Sequence, residues 1–460
     1  DPRRRPRRAR FRRTPALTVV ARAPGIEPVE FARRRRQLMR MAGPDAILIL
    51  SAAPLRVRSN ASHYPYRQDS DFWYLTGFDE PEAVLALVPG RAAGEALLFC
   101  RERDPGREAW DGARLGPEGA VDALGIDDAY PYADMDEILP RLIEGRSRVY
   151  YHFGRDTEFD LTLIGWVNRV RALSRQGAQP PHEFQELGHL LHDLRLFKSP
   201  GERRLMAESA RIASLAHVDA MRATRPGCFE YEIEAELLYR FRRHGAVPSY
   251  EPIVGGGANA CVLHYRANRA RLADGDLLLI DAGAELQGYA SDITRTFPVN
   301  GRFSPAQRAL YEVVLQANRA ALEVVRPGVP WSAMHEAATR AVAEGLLRLG
   351  LIRGSLRQCL KEQTYRRFFM HKTGHWLGLD VHDVGDYRIG GEFRLLEPDM
   401  AFTIEPGLYI APDAPGVAAK WRGIGIRIED DVIVTRQGAK VLSDGVPREP
   451  DRIEAVMAGG

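Results

Sequence analysis

Four acidic residues stand where apolar strands end or begin. Leu277-Leu278-Leu279-Ile280 is an unbroken apolar run that stops at Asp281. Asp292 follows 11 residues later, past a turn at Gly288, and opens Ile293-Thr294-Arg295-Thr296-Phe297. That spacing fits a hairpin with both carboxylates facing one point. Further on, Phe402-Thr403-Ile404 runs into Glu405. Ile424, Ile426 and Ile428 then alternate with Gly425, Arg427 and Glu429, one face apolar and the other polar. One acid beside a strand is usually a turn residue. Four buried acids repel one another unless cations compensate them. The segment from His371 to Asp383 adds three of the chain's 12 histidines, His371, His375 and His382. Four carboxylates with one imidazole make a hard, oxygen-rich donor set, which suits Mn²⁺ or a similar divalent ion better than a thiolate zinc site. Five ligands exceed the need of one catalytic ion with open positions. They suit two ions, about 3.5–4 Å apart, sharing a water or hydroxide.

The elements that must position these residues repeat. Ser199-Pro200-Gly201-Glu202 is a capping box with proline at the first helical position. A long helix follows, with Leu205, Ile212 and Leu215 on one face, and Arg225-Pro226-Gly227 stops it. A second helix runs from Glu230 to Arg243, and strands follow at Leu277–Ala282 and Asp292–Phe297. About 100 residues later the order returns. Ser304-Pro305-Ala306-Gln307 opens a helix, Arg326-Pro327-Gly328 ends it, and a second helix spans Ser332–Leu349. Strands are expected at Ala401–Ile404 and Ile424–Val434. The pattern predicts an internal duplication with a pseudo-twofold relation. Ahead of it, short buried strands at Ala46–Leu50, Ala83–Val88, Ala96–Cys100 and Val149–His152 alternate with helices at Glu30–Met41 and Met135–Ile143. Gln185–Arg195 reads as a helix closing that part. The expected organisation is an α/β N-terminal domain over residues 27–197 and an α+β domain over residues 198–460.

The 460 residues are 45% apolar and 27% charged, ordinary for a globular chain. The longest apolar runs are far shorter than the roughly 18 residues a membrane helix needs. Net charge is +3, yet eight arginines fall in the first 13 residues, so the remainder is slightly acidic. A nucleic-acid partner is therefore not expected. Residues 1–26 read as a disordered arginine-rich extension. Its apolar run Ala16–Ala21, after Arg12-Arg13, is too short for an export signal. Four cysteines without CxxC spacing read as reduced thiols of a cytoplasmic protein.

Dense motif matches go further. They are Tyr64-Pro65-Tyr66-Arg67-Gln68, Ser70-Asp71-Phe72-Trp73-Tyr74, Leu196-Phe197-Lys198-Ser199-Pro200 and Val262-Leu263-His264-Tyr265. The stretches Asp281–Pro298, His375–Asp383, Glu405–Ile410 and Gly423–Asp431 add to them. On these residues the chain, from about residue 27 to 457, resembles the aminopeptidase P branch of the pita-bread metallopeptidases. The resemblance implies a pita-bread fold for the C-terminal domain. It implies that Asp281 chelates one metal, that Asp292 and Glu429 bridge both, and that His375 and Glu405 hold the other. It places His264, His371 and His382 around the scissile bond and the proline ring, with Arg427 beside them. Asp71 and Trp110 resemble positions near an active site, in part across a subunit boundary of a homo-oligomer (dimer or tetramer). The implied reaction removes the first residue from peptides with proline second, through a hydroxide bridging two Mn²⁺ ions, with Glu405 relaying the proton. A prolidase restricted to Xaa-Pro dipeptides is the alternative. A binding module on the same fold would be marked by lost ligands, and all five are present.

Overall fold

The computed structural model describes residues 25–459. The extension assigned to residues 1–26 lies outside them, apart from its last two residues. The N-terminal part is built on a six-stranded mixed sheet in the order Asp128–Pro131, Ala96–Cys100, Val84–Leu87, Ala46–Ser51, Arg148–Tyr151, Glu183–Glu186. Its inner strands are apolar at almost every position because both faces are covered. Side chains alternate between the faces. Leu48, Leu50, Leu85 and Leu98 pack toward Leu38, Phe72 and Leu191. Ile47, Ile49, Val84 and Phe99 pack toward Leu139, Phe159 and Trp166. The expected strands and both helices are found, the first helix as Pro28–Ala42 and the second as Met135–Ile143. Gln185–Arg195 is not one helix. Gln185 and Glu186 belong to the edge strand, which pairs in parallel with Arg148–Tyr151, and the helix is Gly188–Leu196. Sheet pairing overrides local preference there.

The C-terminal part shows the helix–helix–sheet order twice. The helices are Pro200–Ala223 with Glu230–Arg243, then Pro305–Glu323 with Ser332–Arg348. Both capping boxes form, with the Ser199 and Ser304 hydroxyls accepting from Glu202 and Gln307 amides. On the first helix Leu215 is only half-buried. Ala213, Ala216 and Ala220 share the buried face with Leu205 and Ile212, and so let the helix approach its neighbours closely.

Ile253–Gly256, Leu277–Asp281 and Thr294–Pro298 form one antiparallel sheet. The expected single strand Ile424–Val434 is two. Ile424–Arg427 pairs with Gly407–Ile410, and Asp430–Thr435 pairs with Ala401–Ile404. The break falls at Ile428-Glu429, where the chain changes partner. Apolar packing is continuous from Leu48 through Leu196 and Leu205 to Ile280, so the two parts share one core. Among the described residues, no helix is long and apolar enough to cross a membrane. All four cysteines are free.

Candidate metal centre

Each acid of interest sits where a strand ends, because a carboxylate cannot be continued into an apolar sheet without a partner. Asp281 is the last residue of its strand. A hairpin, Ala284–Leu286 with Tyr289–Ala290, turns through Gln287 (φ 50) and Gly288 (φ 84) and returns the chain to Asp292. The turn at Gly288 is as expected, but the next strand starts at Thr294, leaving Asp292 free of the ladder. Glu405 directly follows Ala401–Ile404, and Glu429 occupies the break between the two strands of its segment. His375 is held by main-chain pairing: Thr403 N donates to its carbonyl at 3.0 Å. The Thr403 hydroxyl accepts from its amide at 3.2 Å. Its Nδ1 lies 3.0 Å from the Trp376 carbonyl. Nε2 is thereby aimed at Asp292 Oδ2 (3.4 Å) and Glu405 Oε1 (3.6 Å).

Asp292, His375 and Glu429 present ligand atoms within 4.8 Å of one another. The Tyr250 hydroxyl lies 2.5 Å from both Asp281 Oδ1 and Asp292 Oδ1. It has one proton to donate, so the second carboxylate needs a proton of its own or a cation. Arg427 donates to Asp281 Oδ2 at 2.6 Å, to the Tyr409 hydroxyl at 3.0 Å and to Thr294 Oγ1 at 3.1 Å. Thr294 in turn donates to Glu429 Oε2 at 2.6 Å. Asp431 accepts from the Asp292 amide at 3.0 Å, so a second acid fixes the loop that carries the first.

The electrostatics are those of a cluster short of positive charge. Burial, with Asp292 and Asp281 adding to it against His375 and Arg427, pushes Glu405 up to about 7. Burial and the same acidic neighbours hold Glu429 well above the usual carboxylate range. Burial and Asp281 raise Asp292. Burial disfavours the charged form of His375, yet Asp292 and Glu405 outweigh it and push the imidazole up to about 9. By the chemistry of its donors the site fits divalent cations: hard oxygens, one imidazole nitrogen, and carboxylates that retain protons without them.

These groups lie in a cleft of about 670 Å³. His264 and His382 are exposed in it, and the His382 ring packs 4.1 Å from that of His375. His371 uses both ring nitrogens, Nε2 at 2.9 Å from the Tyr409 hydroxyl and Nδ1 at 2.7 Å from the Lys372 carbonyl. Burial, with Arg427 nearby, pushes it down to about 4, so it is neutral. Nine of the eleven expected site residues thus meet at or around this cleft, namely Asp281, Asp292, His375, Glu405, Glu429, His264, His371, His382 and Arg427. Asp71 and Trp110 do not line it. Asp71 is buried in a separate ionic cluster, and Trp110 is 88% exposed on the helix Pro105–Asp111. Sequence reasoning missed Tyr250, Tyr409, Thr294 and Asp431. Tyr250 carries little signal, being one tyrosine in the loop between Pro248 and Pro252.

A β-carbon on Gly283 would fall inside van der Waals distance of the Ser291 carbonyl and the Ser249 hydroxyl, so the Asp281–Asp292 hairpin closes tightly only with glycine. Gly283→Ala is expected to lower stability by about 1–3 kcal/mol or more, as overpacking does, and to weaken metal binding. Denaturant unfolding and a metal titration of the variant check both.

This acid-lined cleft between two repeated halves is that of a metallopeptidase. Residues 204–436 match metallopeptidase family M24, and residues 31–150 match the aminopeptidase P N-terminal domain. The chain belongs to metallopeptidase family M24, with an N-terminal aminopeptidase P domain and a C-terminal pita-bread domain. It is similar to the Xaa-Pro aminopeptidase of Escherichia coli K12, 45% identical over 434 residues, covering 94% of this chain and 98% of that protein. The Xaa-Pro aminopeptidase of Haemophilus influenzae is 43% identical, covering 93% and 97%. Among solved structures, the Pseudomonas aeruginosa aminopeptidase PepP superposes with a TM-score of 0.94 at 57% identity, covering 95% of this chain and 99% of that one. A variant of E. coli aminopeptidase P in complex with substrate gives 0.92 at 44% identity, covering 95% and 99%.

Proposed function

We propose that this chain is an Xaa-Pro aminopeptidase, releasing the first residue of peptides whose second residue is proline. The observation that supports this most is the convergence of Asp281, Asp292, Glu405, Glu429 and His375, from both halves, in the lining of one cleft. The relatives' activity points the same way. Asp281, Asp292, Glu405, Glu429 and His375 are the residues that would hold two divalent ions, Asp281 toward one, His375 and Glu405 toward the other, and Asp292 and Glu429 toward both. Mn²⁺ fits the oxygen-rich set. Two such ions would acidify a water between them and stabilise the oxyanion that develops on the scissile carbonyl.

The chain's own residues supply the rest. A bond preceding proline is a tertiary amide without N–H, so recognition cannot depend on that donor. Glu405 accepts the attacking water's proton and returns it to the departing proline nitrogen. His264 and His382 donate to the substrate carbonyl as charge grows on it. His371, neutral and with both nitrogens engaged, offers its ring flank to the proline ring. Arg427 holds Asp281 and Tyr409 in place. Residues 27–197 form one domain and residues 198–460 the catalytic one. The enzyme is a cytoplasmic homo-oligomer, dimer or tetramer, with Trp110 at the subunit boundary.

The test is hydrolysis of Arg-Pro-Pro, Arg-Ala-Ala and the dipeptide Ala-Pro by chelator-stripped protein titrated with Mn²⁺. Cleavage of Arg-Pro-Pro but not Arg-Ala-Ala, saturating near two ions per chain, is the expected result. Activity confined to Ala-Pro would make it a prolidase, and no turnover with any divalent ion would overturn the enzyme reading.

A further inference from the structure

The segment from His375 to Asp383 is anchored at its two ends by different means. At the start, pairing with Ala401–Ile404 fixes the main chain: Thr403 N donates to the His375 carbonyl (3.0 Å) and Leu377 N to the Ala401 carbonyl (3.0 Å). At the far end there is no sheet. Asp383 N donates back to the Trp376 carbonyl at 2.9 Å, which closes a loop, and the Asp380 amide within that loop donates to Asp383 Oδ1 at 3.4 Å. Gly378 leaves the space: a β-carbon there would collide with the Asp383 carboxylate and crowd the Lys198 side chain.

The Asp383 carboxylate is buried and meets two cations from the connection between the two parts of the chain. Arg195 Nη2 donates at 2.5 Å and Lys198 Nζ at 2.8 Å. Arg195 Nη2 also reaches Asp380 Oδ2 at 2.8 Å. On its other side Arg195 Nη1 donates to Asp71 Oδ1 at 2.7 Å. Asp71 is gripped further by Arg155 at 3.0 Å and by His152 at 3.0 Å. Ser70, beside it, donates to Asp380 Oδ1 at 2.6 Å. The helix Ser70–Thr76 of the N-terminal part is thus tied through one guanidinium to the loop that ends at Asp383.

The chain bends at His382, and the two neighbouring side chains part there: Asp383 is buried in this network, whereas His382 lines the cleft. Among the described residues, the His382 ring packs on His375 and makes no hydrogen bond that would hold it. We infer that Arg195 and Asp383, braced by Asp71, are positioning residues for His382: they set where the imidazole stands over the scissile bond without touching substrate or metal. It gives Asp71, which does not line the cleft, a place behind the site. It rests on the proposed aminopeptidase activity and on the role given to His382. His375 is fixed separately by the sheet, so metal binding and positioning of His382 separate cleanly.

A double-mutant cycle tests it. Wild type, Arg195→Lys, His382→Ala and the double variant are compared for Arg-Pro-Pro turnover, Mn²⁺ stoichiometry by isothermal titration and melting temperature. Arg195→Lys retains charge and loses the planar fork that holds two carboxylates at once. The expected result is unchanged Mn²⁺ stoichiometry and a kcat lowered by about 10- to 100-fold with KM little altered, the scale of a misplaced catalytic group. In the His382→Ala background the same substitution should lower kcat no further. Equal losses in both backgrounds, or loss of bound metal, would overturn the strut. Asp383→Asn runs the same cycle should Arg195→Lys not fold, and a multiplicative effect there overturns it equally. Absence of turnover by the wild type would overturn the activity and the strut together, whereas an active wild type with multiplicative losses overturns the strut alone.

Discussion

Glu405→Gln is expected to abolish practical turnover, lowering kcat by about 10²–10⁴-fold, the usual worth of a positioned general base. The amide retains an oxygen that can face a cation and cannot take a proton. Glu405 is suited to the task by its surroundings. It stands at the end of the strand Ala401–Ile404 and lines the cleft with Oε1 3.6 Å from His375 Nε2, within reach of a water held there. The variant should still bind metal through Asp281, Asp292, Glu429 and His375. Single-turnover kinetics beside a metal titration distinguishes the two effects. Near-normal kcat with both ions bound would exclude Glu405 as the proton relay.

The second large effect is metal-dependent stability that grows with pH. Without cations, Glu405, Glu429 and Asp292 all hold their protons above the ordinary carboxylate range. A carboxyl group raised in the folded state contributes stability that is complete below its unfolded value. That contribution is lost as pH rises through the folded one. For Glu405 the window runs from its ordinary value of 4.5 to about 7. The metal-free protein therefore weakens across that interval. His375, raised to about 9, adds the same sign of effect at higher pH, because its charged form is the one its neighbours favour. Divalent ions require all of these groups deprotonated, so binding releases protons and tightens as pH rises. An ion at 100 times its Kd stabilises the fold by about 2.7 kcal/mol per site. Calorimetry of chelator-treated protein with and without Mn²⁺ should show a larger melting shift near about pH 8 than near about pH 5, since at the lower pH the cation competes with bound protons. A shift independent of pH would mean that the acids are not the ligands.

Much of this site is legible in the residues themselves because it is made by strand ends. An acid that terminates an apolar run, as Asp281 and Glu405 do, advertises itself by clashing with its context. A hairpin of fixed length brings Asp292 back to Asp281. The paired capping boxes at Ser199 and Ser304 mark two halves with one grammar. These are local signals, carried by periodicity and spacing over ten or twenty residues. The break at Ile428-Glu429 was not legible. The alternation of Ile424, Ile426 and Ile428 stops at Glu429-Asp430-Asp431 and an apolar run resumes at Val432-Ile433-Val434, but only the change of pairing partner shows that these are two strands. Leu215 likewise looks like core until the close approach of neighbouring elements selects alanines in its place.

The sequence by itself therefore determined the types of the candidate ligands, their pairing into two halves, the capped helices and the acidic character of the cleft. Tertiary structure alone decided the rest. It placed Tyr250 between Asp281 and Asp292, laid Arg427 across Asp281 and Tyr409, and closed the His375–Asp383 loop around Arg195 and Lys198. Each of these contacts joins residues that lie between 18 and 188 positions apart in the chain. No pattern of neighbours encodes such contacts, because they follow from which faces the shared core forces together, and a buried charge then takes whatever partner stands within reach.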